Sequence, residues 1–292
     1  VDISAGLFTL ERTWTPNQGG GLFGPCWSTP LSSYIDIGSE GAKFQTAMGR
    51  KIPFDVPING AVCANVHVQD YELIEYGKGF AVRDGNQLLW IYETHDGNVR
   101  RLSSLRDANG VGYDLNYTVA EDGTFGLHPN RLTLTNGDVY DLRVSDGRLQ
   151  SMTHRESGII EAQWRYDHHG LLNSVTNAAG YTLGYEYDKH RRLVALHYNQ
   201  EHRTEYDYDD QHRVIAVSTD TQYYHDRFQY GEPNQDGIRT VDFIDTAGQR
   251  TCFHIDADDQ VISMIEANGA ATHYRYNDSG DVAEETTPLG TT

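Results

Sequence analysis

An aromatic-x-aromatic-acid pattern recurs along the second half of this 292-residue chain, and it narrows the possible folds more than any other feature. It reads Trp164-Arg165-Tyr166-Asp167, Tyr185-Glu186-Tyr187-Asp188 and Tyr206-Asp207-Tyr208-Asp209, then Phe253-His254-Ile255-Asp256 and Tyr274-Arg275-Tyr276-Asn277. Phe228-Gln229-Tyr230-Gly231 is a weakened copy. First positions at 164, 185, 206, 228, 253 and 274 give steps of 21, 21, 22, 25 and 21 residues. A fixed period of this length marks a repeat architecture. Within each unit the two aromatics, at i and i+2, share one face of a strand. A turn follows, such as Asp167-His168-His169-Gly170 or Asn277-Asp278-Ser279-Gly280, with Asp or Asn at i and Gly at i+3 as a type I turn favours. Then comes a short apolar strand, such as Leu193 to Leu196 or Val214 to Val217, and a second breaker, such as Asn268-Gly269. Two strands per period predict a ribbon of antiparallel β-hairpins.

A looser form of the rhythm reaches back through Leu142–Leu149 to Trp90-Ile91-Tyr92, and helical periodicity is weak throughout. Residues 1 to about 80 differ, holding Gly19-Gly20-Gly21 and most of the eight prolines. They are expected to form an irregular β region, with 81–292 as roughly eight repeat units.

Units of the form Tyr-x-Tyr-Asp, a turn, often Gly-Arg, then Leu are the signature of YD repeats, and the chain resembles the Rhs family of bacterial polymorphic toxins. The likeness extends to the opening segment. There Leu22-Phe23-Gly24-Pro25-Cys26-Trp27-Ser28-Thr29-Pro30-Leu31 is similar to the G-P-G-W…P-L start of Rhs cores, followed by Phe44, Gly49-Arg50 and Pro53. It covers roughly residues 20 to 292. Cys26 stands where the family pattern has Gly. Arg191, His212 and Asp259 replace the turn Gly, and those three turn positions are expected in the left-handed region. The unit from Phe228 to Gly237 carries an insertion that leaves its register open.

The resemblance implies an all-β fold: a spiral ribbon of hairpins forming part of a hollow cocoon, as in insecticidal toxin-complex proteins and the YD shells of teneurins. It implies a non-catalytic role, enclosing and delivering a C-terminal toxin domain in interbacterial competition. The implied partners are the remainder of the same polypeptide, that toxin domain and a secretion spike protein of type VI kind. The implied location is synthesis in the bacterial cytoplasm followed by secretion or delivery into a target cell. No segment matches the family's self-cleavage element. The start at Val1 and a last repeat without a cap lead us to expect an N-terminal portion of a longer shell. The residues expected to define the repeats are Trp164, Tyr166, Asp167, Tyr185, Tyr187, Asp188, Tyr206, Tyr208, Asp209, Phe253, Asp256, Tyr274 and Tyr276. Gly24, Pro25 and Trp27 are expected to shape the opening motif.

Charge and composition prune the alternatives. Lys and Arg number 23 and Asp and Glu 42, a formal charge of −19 that repels nucleic-acid phosphates and anionic membranes. The longest apolar run, Leu88 to Tyr92, falls far short of the roughly 20 residues of a spanning helix. No leader of the charged and apolar type opens the chain as given. Cys26, Cys63 and Cys252 are odd in number and far apart, against a disulfide scaffold. Cys26-Trp27 lacks the remainder of a cysteine-protease signature, and Cys63 with His67 is half a zinc site. His168, His169, His190 and His212 fall in equivalent turns and are read as solvated. Asp256, Asp258 and Asp259 lack the Gly and distal Glu of a calcium loop. No phosphate-binding glycine loop occurs, so neither cofactor nor metal is expected. The 19 tyrosines support a second reading, a carbohydrate or cell-surface binding module, to be told apart by whether Tyr185, Tyr206 and Tyr274 lie open.

Overall fold

The computed structural model describes residues 3–5, 8–15, 21–46, 49–57, 62–65, 68–119, 125–199, 201–220, 224–277 and 282–291. For 3–5, 8–9, 64–65, 68–70, 125 and 291 it describes the backbone alone. Gly19, Gly20, His67 and the turn at 278–280 lie outside the described residues. Apart from one 3-10 turn at Pro30–Ser32, the regular elements are β-strands, and all their pairings among the described residues are antiparallel. Two compact units are resolved, Val1–Leu183 and Gly184–Thr292.

The first unit contains two larger sheets. One has five strands in the order Thr94–Asp96, Val99–Arg101, Tyr34–Gly38, Gly41–Gln45 and Lys51–Phe54. The other begins with Val62–Asn65, Val68–Tyr76, Gly79–Asp84 and Leu89–Tyr92, and resumes at Ser104–Arg106 after the excursion into the first sheet. It then runs strand by strand through Gly112–Val119, Phe125–Leu134, Val139–Ser145, Arg148–His154 and Ile160–Tyr166 to Leu172–Asn177. Alternation drives the packing, since every second side chain of a strand points the same way. Lys51–Phe54 accordingly reads exposed, buried, exposed, buried. Phe44 of the first sheet sits edge-on to Tyr71 and Tyr92 of the second, with centroids 5.5 and 5.9 Å away. The opening segment closes over the repeat strands. Phe23 packs on Trp164 at 5.5 Å, and the Leu149 N–H donates to the Leu22 carbonyl at 2.8 Å. Leu22, Phe23, Ile35, Ile52, Leu73, Tyr92, Leu102, Leu132, Leu149 and Trp164 are each below 2 % exposed.

The second unit is a plainer ribbon. From Leu193–Tyr198 through His202–Tyr208, Val214–Thr219, His225–Tyr230, Arg239–Ile244, Arg250–Ile255, Val261–Ile265 and Ala271–Tyr276 to Val282–Thr287, each strand pairs with the next. The register sorts side chains onto two faces. Phe228 opposes Phe243, Val241 opposes Phe253, and Phe253 opposes Met264 on the aromatic face. Asp242 opposes Cys252 and His254 opposes Ser263 on the polar one. Register shifts precede Tyr208, Ile255 and Tyr276, as one precedes Tyr166 in the first unit. Such bulges sharpen the local twist. The register left open at the Phe228 insertion is regular: Arg227 to Tyr230 pair with Ile244 to Val241 without a shift.

Candidate functional site

The residues that sequence singles out converge on one recurring arrangement at the tip of each hairpin. It starts with the acid. Oδ1 of Asp84, Asp107, Asp167, Asp188, Asp209 and Asp256 accepts the N–H groups two and four residues on, at 2.8 to 3.0 Å. A short carboxylate reaching its own downstream amides is an Asx turn. The backbone closes the same loop, with the i+3 N–H donating to the acid's carbonyl and the acid's N–H to the i+4 carbonyl. This closure puts i+3 in the left-handed region, held by Gly110 and Gly170 at φ +78° and +77°. Where Gly is missing the conformation persists: Arg191, His212 and Asp259 have φ of +62°, +65° and +64°. Each non-glycine there costs roughly 1 kcal/mol, which the two side-chain and two backbone hydrogen bonds of the turn offset.

The residue at i+4 adds a charge pair. The Arg192 guanidinium meets the Asp188 carboxylate through Nε at 2.7 Å and Nη2 at 2.6 Å. Arg213 meets Asp209 at 2.8 and 2.7 Å. Burial opposes ionisation of Asp188, but the Arg192 N–H and guanidinium and the His190 N–H outweigh it and hold the carboxyl below its usual range. At Asp209 burial is outweighed in the same way by the N–H and guanidinium of Arg213.

The next hairpin then grips this turn. Arg192 lies over the Tyr208 ring, 4.6 Å from its centroid, Arg213 over Tyr230 at 4.2 Å, and Arg148 over Tyr166 at 5.4 Å. Cation–ring contacts of this kind contribute ~0.5–1 kcal/mol at exposed sites. The tyrosine hydroxyl reaches past the arginine to donate to the following carbonyl. Tyr208 Oη finds Leu193 at 2.7 Å, Tyr230 finds Val214 at 2.8 Å and Tyr166 finds Leu149 at 2.7 Å. Tyr117 reaches Leu102 and Tyr276 reaches Val261 likewise, at 2.7 and 2.8 Å. Burial pushes the Tyr208 phenol up to about 12 against the pull of Arg192, so it stays a proton donor at neutral pH. The first aromatic of each pair packs: Trp164 and Tyr185 are buried, and Tyr206, Phe253 and Tyr274 are half-buried. The chemistry on display is cohesion between hairpins.

The opening motif meets the repeats at one of these turns. Gly24 has φ +84°, and a Cβ there would strike the Gly170 carbonyl oxygen. Cys26, where the family pattern has Gly, is buried with φ +66°. Trp27 is buried under Arg12, whose guanidinium carbon stands 4.8 Å from its ring centroid, and Pro25 is half-exposed between them in sequence.

The remaining candidates are dispersed. The three cysteines are free thiols, and burial together with Asp242 pushes the Cys252 thiol up. His168, His169, His190 and His212 are exposed, with the last two 5.4 Å apart as rings. Among the described residues no group of three His, Cys, Asp or Glu is placed to hold a metal, and no helix is long and apolar enough to cross a membrane. Sequence reasoning missed the turn arginines and the hydroxyl role of the second tyrosine. The recurring Arg148, Arg192 and Arg213 just before an apolar strand were the available signal.

The RHS Repeat family matches residues 166–203 and 256–292, both built of the hairpins just described. Those two stretches are RHS repeats. A curated relative, the probable deoxyribonuclease RhsB of Dickeya dadantii (strain 3937), is 25 % identical over 316 residues. The match takes in 99 % of this chain but spans only 20 % of the relative's length. Among solved structures, the Photorhabdus luminescens Tc holotoxin pore with the TccC3-D651A mutation overlaps 87 % of the chain and 15 % of its own, with TM-score 0.36 and 11 % identity. The TcdB2-TccC3-Cdc42 crystal structure overlaps 90 % and 18 %, with TM-score 0.37 and 12 % identity.

Proposed function

We propose that this chain is a wall segment of a hollow Rhs shell that encloses a toxin domain carried on the same polypeptide and delivers it to a target cell. The observation that carries the reading is the hairpin-to-hairpin lock. Acid, arginine and tyrosine engage one turn at Asp188, Arg192 and Tyr208 and again at Asp209, Arg213 and Tyr230, so these polar groups tie neighbouring hairpins together. A wall with satisfied seams resists opening, and an enclosed cargo is kept from the producing cell until release. The match to one fifth of a longer Rhs relative supports the same reading, because it leaves room in such a polypeptide for further shell and for cargo. That relative is named a probable deoxyribonuclease; for this chain we place catalysis in the cargo rather than in the repeats. Delivery through a type VI spike and a role in competition between bacteria belong to the same proposal.

The carbohydrate-binding alternative requires open tyrosine platforms, and Tyr185 is only 4 % exposed. The test is the intact mass of the native polypeptide, followed in the producing cell through peptides of 1–292. The proposal expects a species far above 32.9 kDa, or tightly associated cleaved pieces, with the toxin segment shielded from added protease. A free, stable species at that mass, or a toxin segment digested as fast as an unfolded chain, would overturn it.

A further inference from the structure

One cavity brings an arginine and a histidine together with hydroxyl groups and with no Asp or Glu in its lining. It lies in the first unit, has a volume of about 340 Å³, and opens between the opening segment and the strands Val99–Arg101 and Phe125–Leu134. Its two basic side chains are Arg101 and His128, and neither is used up. Arg101 gives Nη2 to Asp96 at 2.6 Å, and its Nε is buried without a partner. Nη1 has no hydrogen bond among the described residues and is the accessible nitrogen that remains. His128 makes no hydrogen bond at all among them. Burial and the Arg101 charge hold the His128 imidazole below its usual range, so the site is short of negative charge rather than of positive. The Tyr34 hydroxyl, bonded to Gln45 at 2.6 Å, and Ser32 supply neutral polar wall, while Trp27 and Leu127 form an apolar rim, Leu127 being 62 % exposed. A guanidinium nitrogen without a hydrogen bond beside a suppressed imidazole, walled by hydroxyls and with one carboxylate, Asp96, held on the far edge of the guanidinium, has the donor set of an oxyanion site.

We propose that this cavity binds a small oxyanion, a carboxylate or a phosphate, between Arg101 Nη1 and the His128 ring. The anion completes the coordination that Asp96 provides on one edge of the guanidinium only. It also favours the protonated imidazole, so occupancy and His128 protonation are linked. The site is independent of the shell reading and needs no cargo.

The experiment is a pH titration of the His128 ring by NMR in the full chain, labelled at histidine and assigned with His128→Gln. It is run in chloride, then with inorganic phosphate and with acetate at matched ionic strength. Phosphate or acetate should raise the His128 midpoint by about one unit or more, and the arm that does so identifies the chemistry. Arg101→Gln should abolish the rise. Asp96→Asn, which frees the second guanidinium edge, should tighten binding several-fold and covers the case in which Arg101→Gln fails to fold. A midpoint unchanged by both anions, a rise reproduced by chloride, a rise that survives Arg101→Gln, or unaltered affinity in Asp96→Asn would each overturn the site.

Discussion

The two units use one grammar of hairpins and differ in what covers it. In Val1–Leu183 the large side chains below 2 % exposure gather, from Leu22 and Phe23 through Tyr92 to Trp164. In Gly184–Thr292 the buried apolar residues are Tyr185, Leu193, Ala195, Ala216 and Cys252, and the aromatic face of Tyr206, Phe228, Phe253 and Tyr274 is half-buried. The strands of both alternate in the same way. The first unit adds a second layer, the opening segment and the five-stranded sheet, which seats Phe23 on Trp164 and Phe44 on Tyr92. A ribbon of locked hairpins therefore stands on polar contacts where its aromatic face is only half-buried, and on apolar burial where a second layer seals it.

Trp164→Ala should break the covered unit. It removes a ring 1 % exposed and leaves a cavity against Phe23, a loss of ~3–5 kcal/mol. Tyr206→Ala, at the equivalent position of the open unit, should cost well under half of that, and equal losses in urea unfolding would refute the contrast. Acid should discriminate next. Glu186, Asp188 and Asp209 in the open unit all have carboxyls held below their usual range, as does Asp141 beside Arg155 in the covered one. A lowered folded pKa means the unfolded chain binds protons first, so the stability these groups give is full above about pH 4 and is lost as pH falls through the folded values. With three such groups against one among the described residues, hydrogen exchange should show Gly184–Thr292 opening first as pH drops. Simultaneous opening would show that seams and core fail together.

Smaller effects test the seam itself. Tyr208→Phe deletes one hydroxyl donor to Leu193 and should cost ~1 kcal/mol, and Tyr166→Phe should cost about as much despite its better-covered surroundings. A much larger loss in one unit would mean the seam is not modular. Arg191→Gly should stabilise by a few tenths to about 1 kcal/mol in thermal melts, because φ +62° strains any residue with a Cβ. A destabilised variant would assign Arg191 a contact beyond its turn.

What could be read from sequence was local. The Asp-x-x-Gly turns and their left-handed substitutes at Arg191, His212 and Asp259 follow from four-residue chemistry. The pairing of Val99–Arg101 with Tyr34–Gly38 did not, since no pattern in either strand names a partner some sixty residues away. Nor did the different burial of Trp164 and Tyr206, whose motifs match; covering is a property of what lies above a face, not of the face. The Arg101 and His128 cavity was equally hidden, because two unremarkable residues 27 positions apart become a pair only through the fold.

The tyrosine hydroxyl bond also acts as a length gauge. Tyr117, Tyr166, Tyr208, Tyr230 and Tyr276 each reach back 15 to 17 residues to their carbonyl. Extra residues between donor and acceptor would misplace the hydroxyl, so a unit that keeps its tyrosine can lengthen only elsewhere. The long step of 25 residues from Phe228 to Phe253 fits this rule. Its added residues precede Asn234, which has taken over the turn by accepting the Asp236 and Ile238 N–H groups. Counted from Ile255, which stands where the others carry tyrosine, the residue in the acceptor position after that turn is Arg239, still 16 residues back, so the added residues fall outside the gauge. Length is free to drift between the second aromatic of a unit and its turn, which marks the stretch between Tyr230 and Asn234 as the place in this ribbon most tolerant of a grafted loop.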